Sequence, residues 1–80
     1  MAKSPINILS TRKIGQRDIP LMFQDRERTY QVIDYGRRGI VEGGYSVVVR
    51  ASSGQAIELF HDDKSQKWYV TQIIQQHTFA

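Results

Sequence analysis

The 80-residue chain has no cysteine, so neither a disulfide framework nor a thiolate metal site can hold it together. A reducing, cytoplasmic setting is the expectation that follows. Long apolar runs are missing too. Met1-Ala2-Lys3-Ser4-Pro5 leads into only a few apolar residues before Arg12 and Lys13 interrupt them, far short of a signal-peptide core or a membrane span. Nor does any stretch longer than about ten residues keep apolar residues at helical spacing.

Catalytic signatures are equally scarce. The serines fall in turn-like stretches with no partner histidine nearby, and no carboxylate pair marks a pocket, so the chain is not expected to be an enzyme. The six glycines match no phosphate-binding fingerprint, having neither Gly-x-x-x-x-Gly-Lys-Ser/Thr nor a strand-turn-helix context. His61-Asp62-Asp63 is the only cluster of metal-ligand residue types. Neighbours in a strand point to opposite faces and His77 lies far along the chain, so no metal or other cofactor is expected.

What is present is a strand former's composition. Thr29 to Tyr35, Tyr45 to Arg50, Gln55 to His61 and Lys67 to Gln75 are rich in β-branched and aromatic residues and are separated by turn residues. Ile19 to Gln24 and Ile6 to Ser10 are weaker candidates. At this length the chain is a single domain, residues 1 to 80, in which most large apolar side chains must be buried. Its ordered core is expected over about residues 6 to 75, with Gln72 to Gln76 ending a strand or forming one helical turn and a flexible tail over 76 to 80.

Strand register follows from keeping the apolar set on one face. A three-residue loop Ser52-Ser53-Gly54 pairs Val49 with Ile57 and Val47 with Leu59. A four-residue loop Asp62-Asp63-Lys64-Ser65 pairs Leu59 with Trp68 and Ile57 with Val70. A four-residue loop Asp25-Arg26-Glu27-Arg28 pairs Phe23 with Tyr30 and Leu21 with Val32, leaving Pro20 near the start of its strand. The predicted fold is all-β: an antiparallel meander of about five strands, curled into a sheet or small partly open barrel around Phe23, Val32, Val47, Val49, Leu59, Trp68 and Val70.

The basic residues are unevenly placed, with eight Lys/Arg against four Asp/Glu in residues 1 to 38 and three against four in residues 39 to 80. In a meander, loops alternate between the two ends of the sheet. Loops over 11 to 18, 36 to 44 and 62 to 65 should therefore gather at one end, setting Arg12, Lys13, Arg17, Arg37, Arg38 and Lys64 against Asp18, Glu42, Asp62 and Asp63. Basic loops beside exposed rings are what a small barrel uses on single-stranded nucleic acid, cations following phosphates and rings stacking on bases. Arg12, Lys13, Arg17, Arg37 and Arg38, with Tyr35, are the candidate contacts, and Tyr45, Phe60 and Tyr69 are further candidate platforms. Two other readings compete: Arg37 and Arg38 form solvated pairs with Asp62 and Asp63, or the domain is a protein-interaction or homo-oligomerising module that pairs through an exposed sheet edge.

The order "IPLMFQDRERTYQVIDY" followed by "YSVVVRASSGQAIELFHDDKSQKWYVTQI" resembles a family of small uncharacterised β-rich proteins often encoded beside genes for translesion DNA polymerases. Its pattern falls here on Pro20, Phe23, Arg26, Arg28, Tyr30, Val32, Tyr45, Val47, Gly54, Glu58, Leu59, Asp62 and Trp68, within residues 19 to 74. The family's connecting loop is rich in tryptophan, whereas this chain reads Gly-Arg-Arg-Gly-Ile-Val-Glu-Gly-Gly. The resemblance implies a β-rich fold and an association with DNA repair.

Overall fold

The computed structural model describes residues 5–74, and all its regular structure is strand. Six strands run β1 (Asn7–Ile14), β2 (Arg17–Asp25), β3 (Arg28–Val41), β4 (Gly44–Ala51), β5 (Ala56–Asp62) and β6 (Lys67–Ile74). Each pairs antiparallel with the next, in the order β1-β2-β3-β4-β5-β6. The sheet is the predicted meander, curled into a half-barrel, with one strand more than expected. No helix among the described residues is long and apolar enough to cross a membrane. The tail expected over 76 to 80 lies outside the described residues, as does Gln75 and the end of the Gln72 to Gln76 segment; Gln72 to Ile74 is strand.

Ile19, Phe23, Val47, Val49, Ile57 and Leu59 are at most 1% exposed and form the centre of the core, with Trp68 at its margin. Val32 and Val70 pack against it only partly buried. No side-chain nitrogen or oxygen among the described residues is buried without a hydrogen-bond partner, as a domain this small requires.

Two registers stand as read from the sequence. Val49 pairs with Ile57 and Val47 with Leu59, around a Ser52-Ser53-Gly54 loop in which Gly54 takes φ +95°. Phe23 pairs with Tyr30, although the loop there is two residues, Arg26-Glu27, with Arg26 at φ +59°, and the ladder ends at Met22–Gln31, so the expected Leu21–Val32 pair does not form and Val32 pairs with Ala51 instead. The third differs. Leu59 pairs with Val70 and His61 with Trp68, two residues away from the expected Leu59–Trp68 match. Asp62 explains the shift, because its carboxylate accepts hydrogen bonds from the Lys64 N–H and the Ser65 hydroxyl. It thereby draws the turn forward to Asp63–Gln66. A bulge between Glu58 and Leu59 then sets Ile57 against Ile73 instead of Val70. A slip of two preserves the face, so Trp68 remains core.

The larger corrections concern two segments expected as loops. Residues 11 to 18 form a hairpin, β1 continuing to Ile14 and turning in two residues at Gly15-Gln16, where Gly15 supplies φ +65°. Pro20 is consequently the fourth residue of β2, opposite Thr11 and next to Leu21, which a register shift leaves unpaired with β1, a site that tolerates its missing N–H. Residues 36 to 41 are the far half of the 14-residue β3, and the chain reverses only at Glu42-Gly43. Gly36 and Arg37 together face the single residue Val48, a bulge that accommodates poor strand formers.

β3 is shared between two ladders. It pairs with β2 only over Arg28 to Gln31 and with β4 from Val32 onward. Between Arg17–Leu21 of β2 and the far half of β3 no ladder forms, and the half-barrel is open there. On the opposite side, the Ile6 N–H donates to the Trp68 carbonyl at 2.9 Å and ties the start of the chain to β6.

Candidate nucleic-acid interface

Residues directly opposite in antiparallel strands share a face, so register determines where the arginines point. Arg12 is paired with the buried Ile19 and faces inward. On β3, Tyr35 is paired with Val49 and Arg38 with Val47, both partners fully buried. Tyr35 and Arg38 therefore lie on the inner face as well, at the margin where the barrel stays open.

Two shallow grooves occupy this opening. One, about 290 Å³, is walled by Arg17 and Ile19 of β2, Arg38, Gly39 and Ile40 of β3, and Tyr45. The next, about 200 Å³, lies further along the same gap and is lined by Arg12, Ile19, Leu21, Val32 and Tyr35 among others. Ile19 belongs to both, so they form one trench with an apolar floor, walled by Arg12, Arg17 and Arg38 and by one carboxylate, Asp34. The Arg17 guanidinium sits 4.4 Å from the centroid of the Tyr45 ring, and the Arg38 guanidinium 5.6 Å from that of Tyr35. Stacking of this kind holds a cation in place without neutralising it. Neither arginine forms an ion pair with a described carboxylate.

Of the six residues singled out from the sequence, Arg12, Arg17, Tyr35 and Arg38 line this trench. Lys13 stands opposite Asp18, on the other face of the hairpin by strand alternation, and Arg37 sits at the bulge; neither lines the trench. The expected pairing of Arg37 and Arg38 with Asp62 and Asp63 is not formed. Asp62 is committed to its own turn, and Asp63 pairs with His61, Nδ1 to Oδ1 at 3.3 Å. The β3–β4 turn and the β5–β6 loop do meet at one end, where the Asp63 N–H donates to the Gly43 carbonyl at 2.9 Å, and Gln16 of the β1–β2 turn shares a cleft there with Asp63 and Gln66.

Tyr35 is 39% exposed, so its ring remains accessible, whereas Tyr45 is only 8% exposed and is a wall instead of a platform. Phe60 and Tyr69 pair with each other and with Ser46 on the outer face, away from the arginines. A polar cleft was not foreseen from the sequence. It measures about 470 Å³ and adjoins the trench at Arg17 and Tyr45, with Gln16, Asp18, His61, Asp63, Gln66 and Trp68 among its walls. Only the two-residue slip of β6 brings Trp68 against His61, their ring centroids 4.9 Å apart.

The Tyr45 hydroxyl joins the two sides of this end by donating to the Asp18 carbonyl at 3.0 Å. Burial raises its pKa above 10, outweighing the Arg17 charge that lowers it. An acid with a raised folded-state pKa makes the unfolded chain ionise first, so its contribution is complete below pH ~10 and is lost as pH rises through the folded value. Tyr45→Phe is expected to cost about 1 kcal/mol at neutral pH for the missing hydrogen bond and to reduce the loss of stability above pH ~10. Urea unfolding across that range measures both effects.

No protein-family model, curated protein or solved structure matches the chain.

Proposed function

We propose that this domain is a non-enzymatic binding module that takes single-stranded nucleic acid, alone or within a nucleoprotein complex, along the trench between β2 and the far half of β3. One observation carries the reading. Arg17 and Arg38 come from strands that do not pair at this point, each is stacked on a tyrosine, and they line the same groove without a carboxylate to neutralise them. Phosphates would follow Arg17, Arg38 and Arg12, with a base against the accessible ring of Tyr35. The resemblance to proteins encoded beside translesion polymerases fits a nucleic-acid partner.

Fluorescence anisotropy of a labelled single-stranded oligonucleotide tests this. The wild type should bind at low salt, and Arg17→Ala/Arg38→Ala should weaken binding at least tenfold. The double variant should also flatten the log–log salt dependence by about 1.4, or about 0.7 for each lost phosphate contact on a single strand. No binding by the wild type at low salt overturns the reading.

A competing function, pairing with a protein or a second copy of the chain, is favoured by the unpaired edge of β3, where Ile40 is 80% and Ile33 61% exposed. A mass that rises with concentration in sedimentation, without oligonucleotide binding, would select it.

A further inference from the structure

We propose that the cleft beside the trench is a pocket for one nucleobase, which it holds by the polar edge of the ring. The inference rests on the single-strand reading for how a base would arrive, but the pocket is argued from its own walls.

Charge comes first. Arg17 is the one permanent cation lining the cleft, against the carboxylates of Asp18 and Asp63, and His61 is already joined to Asp63. A phosphate or carboxylate entering here would meet two like charges, so an anion is the wrong occupant. An apolar ligand is wrong too, since it would leave the Gln16 amide and the Gln66 Oε1 without partners. Donors and acceptors mixed over one small cleft fit an uncharged ligand that carries both on its own edge.

Shape narrows the choice to a flat one. Tyr45, His61 and Trp68 pack as a three-ring cluster with centroids 4.9 to 5.4 Å apart, and their edges and faces form the wall behind the polar groups. The Arg17 guanidinium, held 4.4 Å over the Tyr45 ring, adds a planar surface at the cleft. At about 470 Å³ the cleft is within the range of small-molecule sites and has room for a nucleoside.

Gln66 is the residue built for the task. It takes φ +60°, a conformation that costs an L residue about 1 kcal/mol or more and that glycine would adopt freely. Its Nε2 donates to the Asp63 carbonyl at 2.7 Å, which fixes the amide plane, and no described residue occupies its Oε1. A fixed acceptor is thereby left at the cleft, where a base amino or imino group could donate to it. Because Arg17 and Tyr45 wall both cavities, a base in the cleft would place its sugar-phosphate towards Arg38.

The test uses free nucleosides, which carry no phosphate and do not need the trench. Titrating adenosine, cytidine, guanosine and thymidine in turn to millimolar concentration into isotope-labelled protein should shift the Gln66 and Gln16 side-chain amides and the Trp68 indole N–H, for one base more than the others. Gln66→Gly, which suits the positive φ and so keeps the turn, should reduce the Gln16 and Trp68 shifts at least fivefold yet retain the salt-dependent oligonucleotide binding. Arg38→Ala should do the reverse. If no nucleoside shifts the cleft signals, the pocket is overturned, whatever the oligonucleotides do. If nucleosides shift them while oligonucleotides fail to bind at low salt, the pocket stands and the trench reading falls.

Discussion

Gly44→Ala is expected to destabilise the domain by about 3 kcal/mol or more, the upper range for overpacking a filled interior. The added Cβ would run into the backbone carbonyl of His61 and against the Phe60 ring. A carbonyl already committed to its strand cannot swing aside as a long side chain does. Gly44 opens β4 opposite Asp62, so relieving the clash means moving β5 away at the point where the β3–β4 turn and the β5–β6 loop are joined. Gly39→Ala is the control. It lies on the adjacent strand, opposite Ser46, with nothing near its added methyl, and should change stability by no more than about 0.5 kcal/mol. Urea midpoints of the two variants separate steric intolerance from a general effect of removing a glycine.

Phe23→Ala should cost about 3 to 5 kcal/mol, the usual range for emptying a buried aromatic site. Phe23 has no exposed surface, stacks on Tyr30 at 5.1 Å between centroids, and is paired with Ile8 on one side and Tyr30 on the other. Its position makes the loss unusually consequential. β2 meets β3 over only four residue pairs, Met22 to Asp25 with Gln31 to Arg28, and Phe23 is the buried anchor of that short ladder. Domains of this size have total stabilities of about 4 to 12 kcal/mol, so the variant should lie close to its unfolding midpoint in plain buffer. Amide exchange should show β1 and β2 opening first, with Val47 to Val49 and Ile57 to Leu59 protected longest.

How far the sequence foretold this fold depended on how many faces of each segment are buried. Val47, Val49, Ile57 and Leu59 share one fully covered face, so only one register satisfied them, and it is the one observed. Trp68 and Val70 also share a face of their strand, but alternation cannot distinguish a slip of two. That choice was made by the Asp62 carboxylate capping its own turn, a local hydrogen-bond preference stronger than the benefit of one apolar match over another. Residues 11 to 18 and 36 to 41 are exposed on most of their surface and carry charges and glycines, so alternation gives little indication of strand. Gly15-Gln16 was the available signal, a two-residue turn with glycine first. The candidate site inherits these differences. Arg12, Arg17, Arg38 and Tyr35 were legible as residue types, but their convergence depended on strands read as loops, and the cleft depended on the β5–β6 register.

The order of the strands also has a kinetic side. Every ladder in the sheet joins neighbours in the chain, an arrangement that lets the sheet grow from hairpin to hairpin. Among the described residues, the bond from Ile6 to the Trp68 carbonyl has the longest reach, bringing together two points near opposite ends of the chain. That seam should close last on refolding and open early on unfolding, while the three-ring cluster of Tyr45, His61 and Trp68 assembles with the β4–β5–β6 part of the meander. The domain would then acquire its ring-lined wall before its barrel is drawn shut.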